Sequence, residues 1–276
     1  GARVTILDIK KILPRYATAE DKRTVVHVQG SVTSPQIVAS LLRRQRIQTV
    51  FHLAAEAIVA RALRDPLRTL DANVRGTWTL LECVRQNSHI REVIVASSDK
   101  AYGSHTRLPY REDDGLRGLH PYDCSKSCAD LIAEMYARSY HLPIAVARCG
   151  NVYGGGDLNW SRLFPDAFRS LETGIALRLR SDGKHTRDYI YVDDVCDGYR
   201  VLAERIQEKK LFGQAFNFGT ASPLSVLDVL RLIGRAAGMT VPYTNTNTAV
   251  HELRSQYLDS RKAKRVLGWR PKIERN

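Results

Sequence analysis

Tyr122 and Lys126, four residues apart in Y-D-C-S-K, are the first side chains in this sequence whose types and spacing could do chemistry together. At helical spacing they share one face at the start of a helix. A lysine ammonium beside a phenol favours the phenolate, so the tyrosine becomes a base able to take a proton from a hydroxyl. Tyrosine and lysine also recur at this spacing by chance, and an ordinary surface pair is the plain alternative. A second motif argues against it. About 25 residues upstream the apolar run Glu92 to Ser98 ends in S-S-D-K-A-Y-G, which sets Ser98, Asp99 and Lys100 directly after a strand.

These groups need a scaffold, and the chain supplies alternating strands and helices. V-T-I-L-D from Val4 to Asp8 and V-V-H-V from Val25 to Val28 read as strands, the second closed by Gly30, with a loop or short helix between them. Helical spacing runs from Pro35 to Arg46 and again from Leu67 to Asn87. T-V-F-H-L-A-A from Thr49 to Ala55 gives a third strand, Glu92 to Ser98 a fourth, and P-I-A-V-A-R from Pro143 to Arg148 follows a helix over Ser125 to Tyr140. Such alternation predicts an α/β fold with a doubly wound, parallel, Rossmann-type sheet. Residues 1–150 are read as the dinucleotide-binding domain. Beyond Gly150 the pattern turns irregular, with Gly154 to Gly156, the run Ile175 to Leu179 and helices near Ser225 to Ala237 and Arg261 to Leu267. Residues 151–276 are therefore expected to form a smaller mixed lobe that holds the substrate, with some segments returning to the sheet.

A dinucleotide fold opens with a strand, a glycine-rich turn and a helix, and an acid follows the glycines by about 20 residues. Asp8 fits that acid. The chain is accordingly expected to begin one strand and one helix late, without the first strand and its glycine-rich loop, leaving hydrogen-bonding groups of the sheet unpaired.

The bulk numbers narrow the class. Net charge is +13, from 42 Lys and Arg against 29 Asp and Glu, but the basic residues are dispersed, with Arg43, Arg44 and Arg46 the densest group. No zinc-finger spacing, basic zipper or aromatic RNA-binding signature accompanies them, so nucleic acid is not expected as a partner, and a few diphosphate-binding arginines suffice. No apolar run approaches the roughly 18 residues of a membrane helix, and no secretory leader is visible. A cytoplasmic protein without a membrane partner is expected. Five cysteines without a CxxC pair suit a reducing compartment, and with no His or Cys at ligand spacing no metal site is expected.

Taken together, the motifs resemble the extended short-chain dehydrogenases of the NAD-dependent epimerase/dehydratase family. The resemblance runs nearly end to end: H-L-A-A at His52 to Ala55, N-V-R-G-T at Asn73 to Thr77, S-S-D-K-A-Y-G at Ser97 to Gly103, P-Y-D-C-S-K at Pro121 to Lys126, R-C-G-N-V-Y-G at Arg148 to Gly154, T-R-D-Y-I-Y-V-D-D at Thr186 to Asp194, F-N-F-G at Phe216 to Gly219 and L-G-W-R-P at Leu267 to Pro271. S-S-D-K-x-Y, G-N-V-x-G-G-G-D and the tail Y-L-D-S-R-K-A-K-R-V-L-G-W-R-P look most like the CDP-glucose 4,6-dehydratases. T-R-D-Y-I-Y-V-D-D looks like the common pattern of epimerases and dTDP-glucose dehydratases.

The resemblance implies an NAD-dependent lyase of deoxysugar synthesis acting on a CDP-, dTDP-, UDP- or GDP-hexose. Tyr122, assisted by Lys126, would take the proton of the sugar C4 hydroxyl as hydride leaves C4. Ser98 would bond the C4 oxygen, Asp99 would be the acid for the departing C6 hydroxyl, and Lys100 the base for the C5 proton. Lys100 stands where the dTDP-glucose enzymes have glutamate, and a lysine base must be neutral. For NAD, the family positions are Asp8, Leu53, Ala54, Ala55, Asn73, Tyr122 and Lys126, and an acid at Asp8 would repel the 2'-phosphate of NADP. Ser31 stands where family members often carry an adenine-contacting Asp. Asn151, Arg162, Arg187 and Arg254 match positions near the nucleotide diphosphate, where guanidinium groups offer paired donors, and Glu56 could meet the sugar. A homodimer through the helices Leu67 to Asn87 and Ser125 to Tyr140 is expected by analogy. A sugar-nucleotide 4-epimerase, which needs no acid–base pair beyond Tyr122, and a non-catalytic dinucleotide-binding regulatory protein are the alternatives.

Overall fold

The computed structural model describes residues 2–10, 18–248 and 253–273. The chain forms two compact units and passes back and forth between them. The first comprises Gly1–Ser104, Glu112–Arg148 and Tyr199–Phe216, and the second His105–Arg111, Cys149–Gly198 and Asn217–Asn276.

In chain order the first unit opens with β1 (Thr5–Asp8), α1 (Ala19–Thr24), β2 (Val26–Gln29), α2 (Pro35–Arg44) and β3 (Thr49–His52). There follow α3 (Val59–Arg64), α4 (Pro66–Leu70), a π-helical turn (Asp71–Arg75), α5 (Gly76–Arg85), β4 (Glu92–Ser98), a 3-10 turn (Asp99–Tyr102), α6 (Pro121–Tyr140) and β5 (Ile144–Cys149). β1 pairs with β2 in parallel, and β3 with β4 in parallel, Thr49 opposite Glu92 and His52 opposite Val95. β4 continues to β5 and then to β10 (Ala215–Phe218) in a four-stranded sheet of order β10-β5-β4-β3. This is an α/β fold with a parallel sheet.

The helices settle on the strands for reasons the residues supply. Val38 and Leu42 of α2, Leu81 and Val84 of α5, Val93 and Val95 of β4, and Ile144 and Val146 of β5 form one buried cluster. Each such aliphatic contributes about 1.5 to 3 kcal/mol on burial. α6 joins that cluster through Ala133 and Ala137, whose short side chains let the helix backbone come close.

Helical spacing predicts one unbroken helix from Leu67 to Asn87, and the structure differs in its middle. The helix starts at Pro66, where the missing N–H costs nothing, and Asp65 Oδ1 accepts the Arg68 N–H at 3.0 Å. Over Asp71–Arg75 it widens to a π-turn, closed by the Gly76 N–H on the Asp71 carbonyl. A single extra residue in one turn leaves the apolar periodicity on either side intact, so it is invisible to pattern reading.

The second unit is built from short pieces. β6 (Asn151–Tyr153) pairs in parallel with β9 (Tyr189–Tyr191), and β7 (Leu177–Leu179) in parallel with β12 (Tyr243–Asn245). β8 (Thr186–Arg187) lies antiparallel to β11 (Leu224–Ser225) and parallel to β13 (Ser255–Gln256). Helices α7 (Leu163–Thr173), α8 (Val192–Ile206), α9 (Val226–Ala237) and α10 (Arg261–Leu267) complete the order. Ala167, Leu177, Leu179, Tyr189, Val229, Leu230, Ile233 and Val241 form its core. Tyr153 stacks on Phe164 at 4.1 Å between ring centroids. α9 begins with a capping box: Ser225 Oγ accepts the Asp228 N–H, and Asp228 Oδ2 accepts the Ser225 N–H, each at 3.1 Å.

Asp188, fully buried before β9, fixes two loops of this unit at once. Its Oδ1 accepts the Thr220 N–H at 2.9 Å and the Thr220 hydroxyl, and its Oδ2 accepts the Ala221 and Leu258 N–H groups at 3.2 and 3.4 Å. Asp194 at the start of α8 does the same for the chain after α10, accepting the Lys272 and Ile273 N–H groups at 2.8 and 3.1 Å. Among the described residues no helix is long and apolar enough to cross a membrane.

Candidate active site

β4 delivers Ser98 to the carboxyl edge of the sheet, and the 3-10 turn begins there. Ser98 Oγ accepts the Lys100 N–H at 3.3 Å and donates to Asp99 Oδ1 at 3.0 Å. Lys100 Nζ donates to the same Oδ1 at 2.9 Å. Asp99 is 0% exposed, yet its second oxygen, Oδ2, is buried with no hydrogen-bond partner. A carboxylate oxygen left without a partner in the interior is costly.

α6 starts at Pro121 and places Tyr122 in its first turn and Lys126 one turn on. Lys126 is 7% exposed, and its Nζ donates to the Ala96 carbonyl of β4 at 2.8 Å, so strand and helix jointly fix the ammonium. The 3-10 turn carrying Asp99 and Lys100 packs against this helix. All five candidate catalytic side chains thus sit on one strand end, one turn and one helix start.

The approach is tight because the intervening loop is stitched to both. A Cβ on Gly103, whose φ is +64°, would lie 2.0 Å from the Arg117 carbonyl oxygen, and one on Gly118 would lie 2.3 Å from the Asp123 backbone. The Arg117 N–H donates to Ala101 O at 3.1 Å, the Gly118 N–H to Ser127 Oγ at 3.2 Å, and Ser127 Oγ to Ala101 O at 2.8 Å. Beneath the turn, Arg148 Nε donates to Asp130 Oδ2 at 2.6 Å and Nη1 to the Tyr102 hydroxyl at 2.9 Å. Burial pushes the Asp130 carboxyl up while Arg148 draws it back.

Asn73, in the π-turn, is 2% exposed and bonded within the protein: Oδ1 accepts the Glu56 N–H at 2.7 Å, and Nδ2 donates to Glu56 O at 3.2 Å and Ser125 Oγ at 2.8 Å. Ser125 Oγ passes its own proton to the Tyr122 carbonyl at 2.7 Å. Thr77 Oγ1 donates to Asn73 O at 2.6 Å, which makes His52 Nε2 the donor in its 3.0 Å contact with that hydroxyl. Burial, with help from the Lys126 charge, pushes the His52 imidazole down to about 3, so it is neutral. Sequence motifs place Asn73 at the cofactor; here its amide also ties the segment after β3 to the helix that carries Tyr122.

The other candidates fall in two groups. Asp8 at the end of β1 is exposed, its Oδ1 accepting the Lys10 N–H at 2.7 Å, and Leu53 and Ala54 are exposed just beyond β3, with Ala55 half-buried. Asp8, Leu53 and Ser98 therefore stand at the carboxyl ends of parallel strands, the edge at which such sheets take nucleotides. That arrangement fits a dinucleotide. Glu56 is 9% exposed and lies 3.4 Å from Arg61 Nη1 and 3.7 Å from Arg68 Nε. Ser31 shares a 2.7 Å hydrogen bond with Thr33 Oγ1. Asn151, Arg162, Arg187 and Arg254 all belong to the second unit. Arg187 on β8 and Arg254 lie on neighbouring backbone segments, since the Thr186 N–H donates to Arg254 O at 2.9 Å. Arg162, before α7, is paired with Asp157 at 3.0 Å.

Sequence motifs pass over Asp123, between the tyrosine and the lysine. It is half-buried; burial pushes its carboxyl up, Lys100 and His120 work against that, and Asp99 adds to it. A charged residue inside Y-x-x-x-K, on the side of the helix facing the 3-10 turn, was the available signal.

Against known proteins, residues 1–219 match the model of the NAD dependent epimerase/dehydratase family. The chain is 34% identical over 242 residues to CDP-glucose 4,6-dehydratase of Salmonella typhimurium, an alignment covering 82% of this chain and 66% of that protein, just under two thirds of its length. Its fold superimposes on UDP-glucose 4-epimerase of Thermotoga maritima with a TM-score of 0.86 at 26% identity, covering 99% of this chain and 87% of that one. dTDP-glucose 4,6-dehydratase of Streptomyces venezuelae, solved with NAD, gives 0.83 at 27% identity, covering 91% and 76%. With a family match over most of its length and a strand-end cradle that suits a dinucleotide, the chain belongs to the NAD dependent epimerase/dehydratase family.

Proposed function

We propose that this protein is an NAD-dependent sugar-nucleotide 4,6-dehydratase acting on CDP-glucose or a near relative. The observation that carries the reading is Asp99: a buried carboxyl with Lys100 and Ser98 on one oxygen and nothing on the other. Epimerisation at C4 needs only the tyrosine base, whereas dehydration needs a further acid and a further base, and Asp99 and Lys100 supply that pair.

In this reading Asp8, the segment Leu53 to Ala55 and Lys126 would hold NAD, which when bound would supply the hydride acceptor for C4 and the hydride donor for C6. Tyr122 takes the C4 hydroxyl proton, its phenolate favoured by the Lys126 ammonium. Ser98 Oγ orients the C4 oxygen. The ketone at C4 makes the C5 proton acidic, and Lys100 removes it. Asp99 protonates the C6 hydroxyl, which leaves as water, and Lys100 returns the proton to C5, giving a 4-keto-6-deoxy sugar nucleotide. Arg187 and Arg254 bind the diphosphate with Asn151, and Arg162 assists. Trp78 of α5 and Leu131 and Met135 of α6 are 44%, 56% and 43% exposed, which supports a homodimer through these helices.

The test is incubation of the NAD-loaded protein with CDP-, dTDP-, UDP- and GDP-hexoses, products read by mass spectrometry. Loss of one water from one nucleotide is the expected result and names the substrate. An unchanged mass with inverted configuration at C4 would make it an epimerase, and no change with any of the four would make it a non-catalytic binding protein.

A further inference from the structure

Arg148, near the end of β5, is a buried cation that the proposed chemistry does not use, yet its one guanidinium reaches three segments around the site. Nε donates to Asp130 Oδ2 of α6 at 2.6 Å, while Nη1 donates to the Tyr102 hydroxyl at 2.9 Å and to the Glu112 carbonyl at 3.2 Å. The guanidinium carbon also stands 4.8 Å from the centroid of the Tyr102 ring. Tyr102 is fully buried and is the last residue of the 3-10 turn that carries Asp99 and Lys100. Asp130, buried as well, lies one helical turn beyond Lys126.

Stability alone does not account for this arrangement. Two charges taken out of water are costly, and well-packed apolar side chains of similar size often hold a fold together at least as well. What apolar contacts lack is direction. A planar guanidinium presents its donors in a fixed fork, so once Asp130 fixes it, it dictates where the Tyr102 hydroxyl lies. A single 3-10 turn makes too few internal bonds to hold its own shape. Here the Gly103 N–H closes the turn on the Lys100 carbonyl at 3.1 Å, and Ser98 anchors its start. Its far end is held by Ser127 Oγ on Ala101 O at 2.8 Å and by the Tyr102 hydroxyl. Tyr122 and Lys126 have a separate anchor, since Lys126 Nζ donates to the Ala96 carbonyl at 2.8 Å. We propose that Arg148, fixed by Asp130, is a positioning residue that acts through the Tyr102 hydroxyl to hold Asp99 and Lys100 in place for the elimination of water. The inference rests on the dehydratase reading, and Arg148 itself touches no reacting atom in it.

Tyr102→Phe removes only the hydroxyl and leaves the ring in its place. With the NAD-loaded variant and CDP-glucose, C4 oxidation, followed by the near-ultraviolet absorbance of NADH, should stay within about 2-fold of wild type, because it uses Tyr122 and Lys126. Elimination of water should fall about 10- to 100-fold with KM unchanged, so that NADH builds up during turnover. Arg148→Lys, which keeps a charge beside Asp130 but loses the fork, should show the same split. A second readout needs no turnover: amide hydrogen exchange at Gly103 should quicken about 10-fold in both variants, with Ala133 and Ala137 of α6 unchanged. Unaltered elimination in Tyr102→Phe, or a loss shared equally by C4 oxidation and elimination, would overturn the assignment. So would exchange at Gly103 that stays at the wild-type rate or quickens along the whole of α6. Failure of the wild type to dehydrate any nucleotide hexose is a distinct outcome that removes the dehydratase reading itself.

Discussion

Asp99 in the first unit and Asp188 in the second are both fully buried aspartates, each at the end of a motif strand, and they are bonded in opposite ways. Both oxygens of Asp188 are occupied, by three backbone N–H groups and a threonine hydroxyl. Asp99 has both its partners on one oxygen and none on the other. A buried carboxylate whose valence is filled by backbone is a structural pin: it cannot move without releasing the loops it holds. One with an oxygen to spare is held at a cost in stability and can take a new hydrogen-bond partner without rearrangement. Burial and residue type are the same in both places, and what separates them is how many hydrogen bonds each carboxyl receives.

The largest effect that would sharpen this contrast is on rate. Asp99→Asn should lower the dehydration kcat by about 10²- to 10⁴-fold while the stability to urea stays within about 1 kcal/mol of wild type. A folded, fully active variant would break the comparison. Next in size, Asp188→Ala leaves three backbone N–H groups, one of them fully buried, without an acceptor and should cost about 3 to 5 kcal/mol in the same denaturation, an effect that Asp99 substitutions should not approach.

A third test asks whether the first unit has its own pinned group. His52 is held neutral, its imidazole pushed down to about 3 from 6.5. The sign follows directly: above 6.5 neither folded nor unfolded state binds the proton, and below it only the unfolded state does. Stability should therefore fall as pH drops from 6.5 toward about 3, by up to about 1.4 kcal/mol per pH unit. In His52→Gln this part of the slope should vanish, and an unchanged slope would assign it elsewhere. The smallest effect belongs to Arg162, half-exposed in its pair with Asp157. Arg162→Ala should shift stability by less than about 1 kcal/mol, and a rise in KM at constant kcat would mark a substrate contact.

Much of the scaffold could be read from the residues. Glu92–Ser98 and Arg261–Leu267 have the bounds their apolar spacing predicts, because a long buried strand and a glycine-ended helix leave strong local patterns. The adjacency of Ser98, Asp99 and Lys100 needed no fold at all, being covalent. What could not be read depends on contacts between distant segments. The bare Oδ2 of Asp99, the tie from Asn73 to Glu56 and Ser125, and the bond from Ser127 to Ala101 of the turn arise only when distant segments meet. The π-turn escaped for a different reason, since it adds one residue to a helix without changing the apolar stripe before or after it.

That π-turn has a consequence for anyone altering the length of this helix. An α-helix advances about 100° per residue, so the extra residue within Asp71–Arg75 sets the rotational phase of everything after it relative to everything before. Removing one residue there would restore regular winding and look like an improvement in helical order. It would also turn α5 by roughly a quarter of a revolution, swinging Leu81 and Val84 out of their cluster or Asn73 away from Glu56, since one rigid rod cannot satisfy both. The irregular turn is the gearing that lets a single helix mesh with the hydrophobic layer at one end and the helix that carries Tyr122 at the other.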